Sequence, residues 1–242
     1  MTQNVMFVLC GNCRTFIKCF DNLYIHIVSK LFSEDFKIYL YFYLKLTDPG
    51  PKGQDGWNFE YKDIEYNVIL DKINKIIKDY PKLNIEYKLL TTNEITDNEL
   101  MLQVKERHLY HNTFARDNIF LRALHCHYNF EKCGIYILEK EKYLQCKFHY
   151  IIYVRPDLFF TESCDNIEKY NKYIITLGGG LHTYNTDHLA IIPREHMDSF
   201  FFDRIKVYRN NTTKYFNTPE EVYWYTINYE VTNIGKYYIK RL

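Results

Sequence analysis

Alanine is nearly absent from this sequence: 242 residues hold three (Ala115, Ala123, Ala190), beside 24 Tyr and 17 Phe. That scarcity, with abundant Ile, Asn and Lys, reads as the residue bias of an AT-rich genome. The aromatic wealth is therefore no argument for sugar-stacking platforms. An excess of either charge is also missing, since 31 Lys+Arg face 30 Asp+Glu. This removes the broad electrostatic case for nucleic acid or an anionic membrane surface as partner. No apolar run approaches the roughly 18 residues of a membrane span. The opening MTQNVMFVLCGN lacks a basic segment and a long apolar one, so no signal peptide is expected. Linkers, internal repeats and low-complexity segments are missing too, and a single domain over residues 1–242 is expected.

What is present is a soluble, globular composition, 47% hydrophobic and 25% charged. Seven cysteines, an odd number spread through a chain of this size, point to reduced thiols and a cytoplasmic location. The sequon at Asn211-Thr212-Thr213 is then inert.

Apolar runs and helical spacings alternate along the chain. Val5–Cys10, Phe36–Leu46, Asn84–Leu90, His149–Val154, Tyr173–Leu177 and His188–Ile192 read as strands, with a last one at Lys236–Ile239. Phe16, Phe20, Leu23, Ile27 and Leu31 set a first helix after Arg14, and Asp63–Tyr80 a second, with Ile73, Ile76 and Ile77 on one face. Leu100–Leu138 reads as two helices broken near Asn112 or Gly134. Pro193 opens another helix, and Thr218-Pro219-Glu220-Glu221 opens the last, with proline early and acids in the first turn. Strands separated by helices imply an α/β fold with a mostly parallel sheet covered on both faces.

Four features bear on chemistry. Cys10-Gly11-Asn12-Cys13 is a CxxC, but zinc needs two further ligands and no second CxxC or HxxxH exists, so bystander thiols are the preferred reading. His108, His111, His125 and His127 crowd one region beside Arg107, Arg116 and Arg122, which favours a solvated or phosphate-facing surface over a metal site. Gly178-Gly179-Gly180 follows a strand and admits close approach of a backbone or ligand, but it is no dinucleotide fingerprint. The sharpest feature is HYIIYVRPDLFF (His149–Phe160), an apolar strand ending in Arg155-Pro156-Asp157. It sets a cation and a carboxylate on a stiff backbone at the sheet edge where open α/β sheets bind ligands. The competing reading is a structural ion pair that caps the strand.

Three blocks, in order, resemble GT-A-like glycosyltransferases common in large DNA viruses, bacteria and plants. VLCGNCRTF (Val8–Phe16) resembles the opening strand and its Gly-x-x-Arg turn into the first helix. YIIYVRPDLFF (Tyr150–Phe160) resembles the strand where metal-dependent members keep Asp-x-Asp, and DHLAIIPREHMDSF (Asp187–Phe200) resembles the later Asp-x-Leu-Ala-Ile block. TPEEV (Thr218–Val222) is similar to a late Glu-bearing helix start.

The resemblance implies a Rossmann-like fold and transfer of a sugar from a nucleotide-sugar donor to a hydroxyl of a glycan or other acceptor. It puts Gly11 and Arg14 beside the nucleotide phosphates, where turn amides suit an anion. Asp157 takes the metal-proximal place, and Mg²⁺ or Mn²⁺ held by it and by diphosphate oxygens is the favoured form. Arg155 stands where the first acid of Asp-x-Asp would be, and its guanidinium neutralising the diphosphate without a metal is the alternative. Asp187, Glu220 and Glu221 are the candidates for a general base. Two other classes stay open: a non-catalytic carbohydrate- or nucleotide-binding protein on the same fold, and another nucleotide-binding transferase.

Overall fold

The structure, a computed structural model, describes residues 3–13, 15–30, 36–46, 65–91, 117–163, 174–178, 185–210, 229–232 and 237–239. For 117–123, 174–178, 185–187, 229–232 and 237–239 it describes the backbone alone. β1 (Gln3–Asn12) leads into α1 (Phe16–Leu23), which passes into a π-helical turn over Tyr24–Val28. β2 (Phe36–Lys45), α2 (Tyr66–Asp79), β3 (Asn84–Leu90) and the long α3 (Asp117–Leu144) follow. Then come β4 (Tyr150–Val154), β5 (Leu158–Phe160), β6 (Ile174–Gly178) and β7 (Asn185–Pro193). A 3-10 turn at Arg194–His196 opens α4 (Met197–Arg209), and β8 (Tyr229–Thr232) and β9 (Tyr237–Ile239) close the chain.

Seven strands form one sheet in the order β3-β2-β1-β4-β7-β6-β8. Every pairing is parallel except the two made by β7, which runs against both β4 and β6. The expected mostly parallel α/β fold is therefore the observed one, a Rossmann-like arrangement with one reversed strand. β5 and β9 pair antiparallel as a separate ribbon.

Period-two alternation divides β1 between two cores. Val5, Phe7 and Leu9 face one side with Leu40, Phe42 and Leu44 of β2, under Phe16 and Phe20 of α1 and Ile69, Ile73 and Ile76 of α2. Met6, Val8 and Cys10 face the other with Tyr39, Tyr41 and Tyr43 of β2, under Phe130, Cys133 and Ile137 of α3 and Phe200 and Phe201 of α4. β2 thus shows Leu and Phe to one core and only tyrosine to the other.

Three local expectations change. α3 runs unbroken through Gly134, because the missing side chain lets α4 lie against it: an added Cβ would come 2.8 Å from the Cβ of Phe201. Asn112, the other proposed break, lies outside the described residues. On α2 the inward stripe is Ile69, Ile73 and Ile76, at offsets of four and three, and Ile77, one step further round, is exposed. Pro193 ends β7 rather than opening a helix, and α4 begins only after the 3-10 turn. The last strand, read at Lys236–Ile239, is present and pairs with β5, and the short strands β5 and β8 carry too little periodicity to be read in advance.

Candidate functional site

α1 and α2, which connect β1 to β2 and β2 to β3, pack on one face of the sheet. α3, which leads into β4, packs on the other. The side on which the connections lie therefore reverses between β1 and β4. In open α/β sheets, the crevice outside the carboxyl ends of two such strands is the ordinary ligand site.

Both sequence blocks meet in that crevice. β1 and β4 are neighbours, with Leu9 beside Val154 as their last paired residues. Just beyond, Gly11 adopts φ +142°, and a Cβ there would lie 3.2 Å from Cδ of Pro156. Gly11 is needed on two counts, for a backbone that L side chains rarely adopt and for the close passage of Pro156. β7 arrives at the same edge from the opposite direction, and the Arg155 N–H donates to the His188 carbonyl at 2.8 Å. The start of β7, with the Asp187 backbone, so lies next to the end of β4. Gly178 pairs with Asn185 at this edge as well, after an irregularity in the β6–β7 ladder.

Arg155 and Asp157 form a two-pronged ion pair. Nε of Arg155 donates to Oδ1 of Asp157 at 3.0 Å, and its NH2 group donates to Oδ2 at 2.7 Å. Asp157 is the inner partner: its side chain is 7% exposed, against 28% for Arg155. Its backbone is held on both sides. Leu158 and Phe160 of β5 are buried behind it, and the Asn22 amide of α1 clamps the Phe160 backbone, donating to its carbonyl at 2.9 Å and accepting its N–H at 2.6 Å.

This geometry tests the fit of a divalent cation. Mg²⁺ and Mn²⁺ take several oxygen ligands in octahedral geometry, whereas both oxygens of Asp157 are engaged by a guanidinium. Among the described residues no three His, Cys, Asp or Glu side chains gather as a metal site. The residues at this turn, as placed, do not fit a metal on Asp157.

The other expected site residues divide. Arg14, Glu220, Glu221, His108, His111, Gly179 and Gly180 lie outside the described residues, as does the side chain of Asp187. Cys10 and Cys13 are in no disulfide and belong to opposite cores, Cys10 under α3 and Cys13 under α1, so the CxxC is not one site. His127 is a core residue whose Nδ1 meets the Tyr208 hydroxyl at 2.9 Å. His125 is half-buried, and burial together with the charge of Lys45 pushes its pKa down to about 4. That coupling marks a residue the sequence reading passed over. Lys45 ends β2 opposite Asn12, at the carboxyl edge of the sheet. Its place at the end of an apolar strand was the available signal.

No family model matches the chain, and no curated protein matches it. Among solved structures, the chain is similar to the glycosyltransferase GlyE of Streptococcus pneumoniae TIGR4, with 11% sequence identity and a TM-score of 0.44. The match covers 96% of this chain and 45% of that one, so this chain spans under half the length of its solved neighbour. At that identity and score the likeness assigns no activity, substrate or site.

Proposed function

We propose that the chain is a glycosyltransferase that takes a sugar from a nucleotide-sugar donor to a hydroxyl acceptor, with the donor diphosphate in the β1–β4 crevice. The observation that carries this reading is the contact of the Gly11 turn with Pro156 where the sheet connections change sides. It joins two of the sequence blocks that resemble the family, separated by more than a hundred residues, at the place where such sheets bind ligands. The start of β7 beside them brings in the third block and supports Asp187 as the general base that takes the acceptor proton. Glu220 and Glu221 are carried as alternatives on the resemblance alone, and Arg14 as a phosphate contact on the same ground.

A thermal-shift panel of nucleoside diphosphates and nucleotide sugars tests the proposal. A ligand at about 100 times its Kd stabilises the fold by about 2.7 kcal/mol, or about 5–10 °C for a domain of this size. Donor hydrolysis or transfer by the same protein is the expected companion result. No shift with any member of the panel would overturn the reading. Binding without turnover would instead support a non-catalytic protein on this fold, the reading favoured by Arg155 in the place of the first acid of Asp-x-Asp.

A further inference from the structure

We propose that the crevice grips the donor diphosphate through the Arg155 guanidinium, positioned by Asp157, and that no divalent cation binds at Asp157. This rests on the nucleotide-sugar reading above and deepens it.

Three observations converge. The solvent-facing partner of the pair is the cation, since Arg155 is four times as exposed as Asp157. An anion that enters between the Gly11 turn and the end of β4 therefore meets a guanidinium before a carboxylate. Second, the backbone that carries the carboxylate is held. Pro156 is packed against Gly11, Leu158 and Phe160 are buried, and Asn22 fixes the Phe160 backbone, so the Asp157 backbone cannot shift outward without unseating β5. A divalent ion would lie about 2.0–2.6 Å from a carboxylate oxygen, beside a guanidinium already bonded to both. Like charges would crowd there, and nothing among the described residues completes the coordination. Third, the position two residues before Asp157, where a second acid would share a cation, holds Arg155 itself. A planar guanidinium with fixed donors is well matched to phosphate oxygens. Asp157 then acts as a positioning residue, which orients the fork at the cost of part of its charge.

The experiment uses the full chain with UDP, GDP, ADP and CDP as probes, and reads the nucleotide Kd by calorimetry in EDTA and again with Mn²⁺. Expected is a nucleotide that binds in EDTA with a Kd changed less than threefold by Mn²⁺, and no heat from Mn²⁺ alone. Arg155→Gln combined with Asp157→Asn removes both charges in near-isosteric form, so no buried carboxylate is stranded. It should weaken nucleotide binding at least tenfold in both arms with the same far-ultraviolet spectrum as the native chain. Binding tightened tenfold or more by Mn²⁺, and lost in Asp157→Asn alone, would overturn this inference and leave the transferase reading standing. No binding of any probe in either arm would overturn both. The native-protein comparison needs no variant, so a double variant that failed to fold would leave the Mn²⁺ test decisive.

Discussion

Replacing Gly134 by alanine sets two effects of opposite sign against each other. Gly134 lies well inside α3, where alanine is favoured over glycine by about 1 kcal/mol. On propensity alone the substitution stabilises. The new methyl, however, would lie 2.8 Å from Cβ of Phe201 and 2.8 Å from Cζ of Phe202. The Phe202 ring is half-buried and can turn aside. Cβ of Phe201 is fixed to the α4 backbone, and its ring is fully buried among Phe130 and Phe200. Restoring an ordinary carbon–carbon separation of about 3.5 Å requires α3 and α4 to part by about 0.7 Å, the difference from 2.8 Å. Overpacking of this kind costs about 1–3 kcal/mol, and more where the obstruction is backbone-borne. With the cost in the upper part of that range, because Cβ of Phe201 cannot turn aside, the net expectation is a loss of about 1–2 kcal/mol, a drop in Tm of about 2–8 °C for a chain of this size. Circular-dichroism melts of the two proteins at one scan rate measure it. A Tm equal to or above that of the native chain would show that propensity outweighs the clash and that the helices do not meet as described.

Gly11→Ala should lower the urea midpoint through backbone strain of about 1–3 kcal/mol, because its φ of +142° and the 3.2 Å approach of Pro156 both oppose a side chain. An unchanged midpoint would refute the tight β1–β4 turn. Glu141 is buried, holds Arg194 through bonds of 2.7 and 2.8 Å, and accepts the Phe148 N–H at 3.0 Å. Glu141→Gln should therefore cost about 3 kcal/mol, the low end for a broken buried pair because Arg194 keeps some solvent, read by chemical denaturation. Burial, then Lys45, depresses the His125 pKa to about 4 in the folded chain. The stability this contributes is present above the unfolded value of about 6.5 and is lost as pH falls from there toward 4. The urea midpoint of the native chain should drop more between pH 7 and pH 5 than that of His125→Gln, and equal drops would refute the assignment.

The sheet was legible because its strands are extreme. VMFVLC, FKIYLYFYLK and YIIYV are short apolar runs that only a two-faced buried strand accommodates, and the structure keeps them within a few residues of their read boundaries. The Arg155-Pro156-Asp157 turn was legible for the same reason, as a charged stop to an apolar run. What that turn does was not. Whether a carboxylate two residues from an arginine binds a metal or the arginine depends on which of them reaches solvent, and sequence spacing does not fix that. Gly134 is ambiguous in the sequence because helix-breaking and helix-crowding glycines have the same letter, and the difference lies in Phe201, sixty-seven residues away. Arg204 is a further case: a charged residue with no sequence mark, fully buried, with its guanidinium 4.3 Å from the ring centres of both Phe130 and Phe200. Its seat is made by two helices together.

The tyrosine face of β2 gives the protein a built-in optical signal. Tyr41 lies flat on Tyr136 of α3 at a centroid distance of 3.5 Å, and Tyr43 is buried beside them. Burial first, and neighbouring thiols and hydroxyls after it, push the phenols of Tyr41 and Tyr43 well above the usual tyrosine range. Burial and the hydrogen bond to Glu86 do the same for Tyr136. Surface phenols titrate near pH 10, while these three stay neutral as long as α3 covers the sheet. In an alkaline titration followed at the tyrosinate absorption band, the spectrum should therefore rise in two steps. The second step reports loss of the packing that buries these phenols, and it does so without any label.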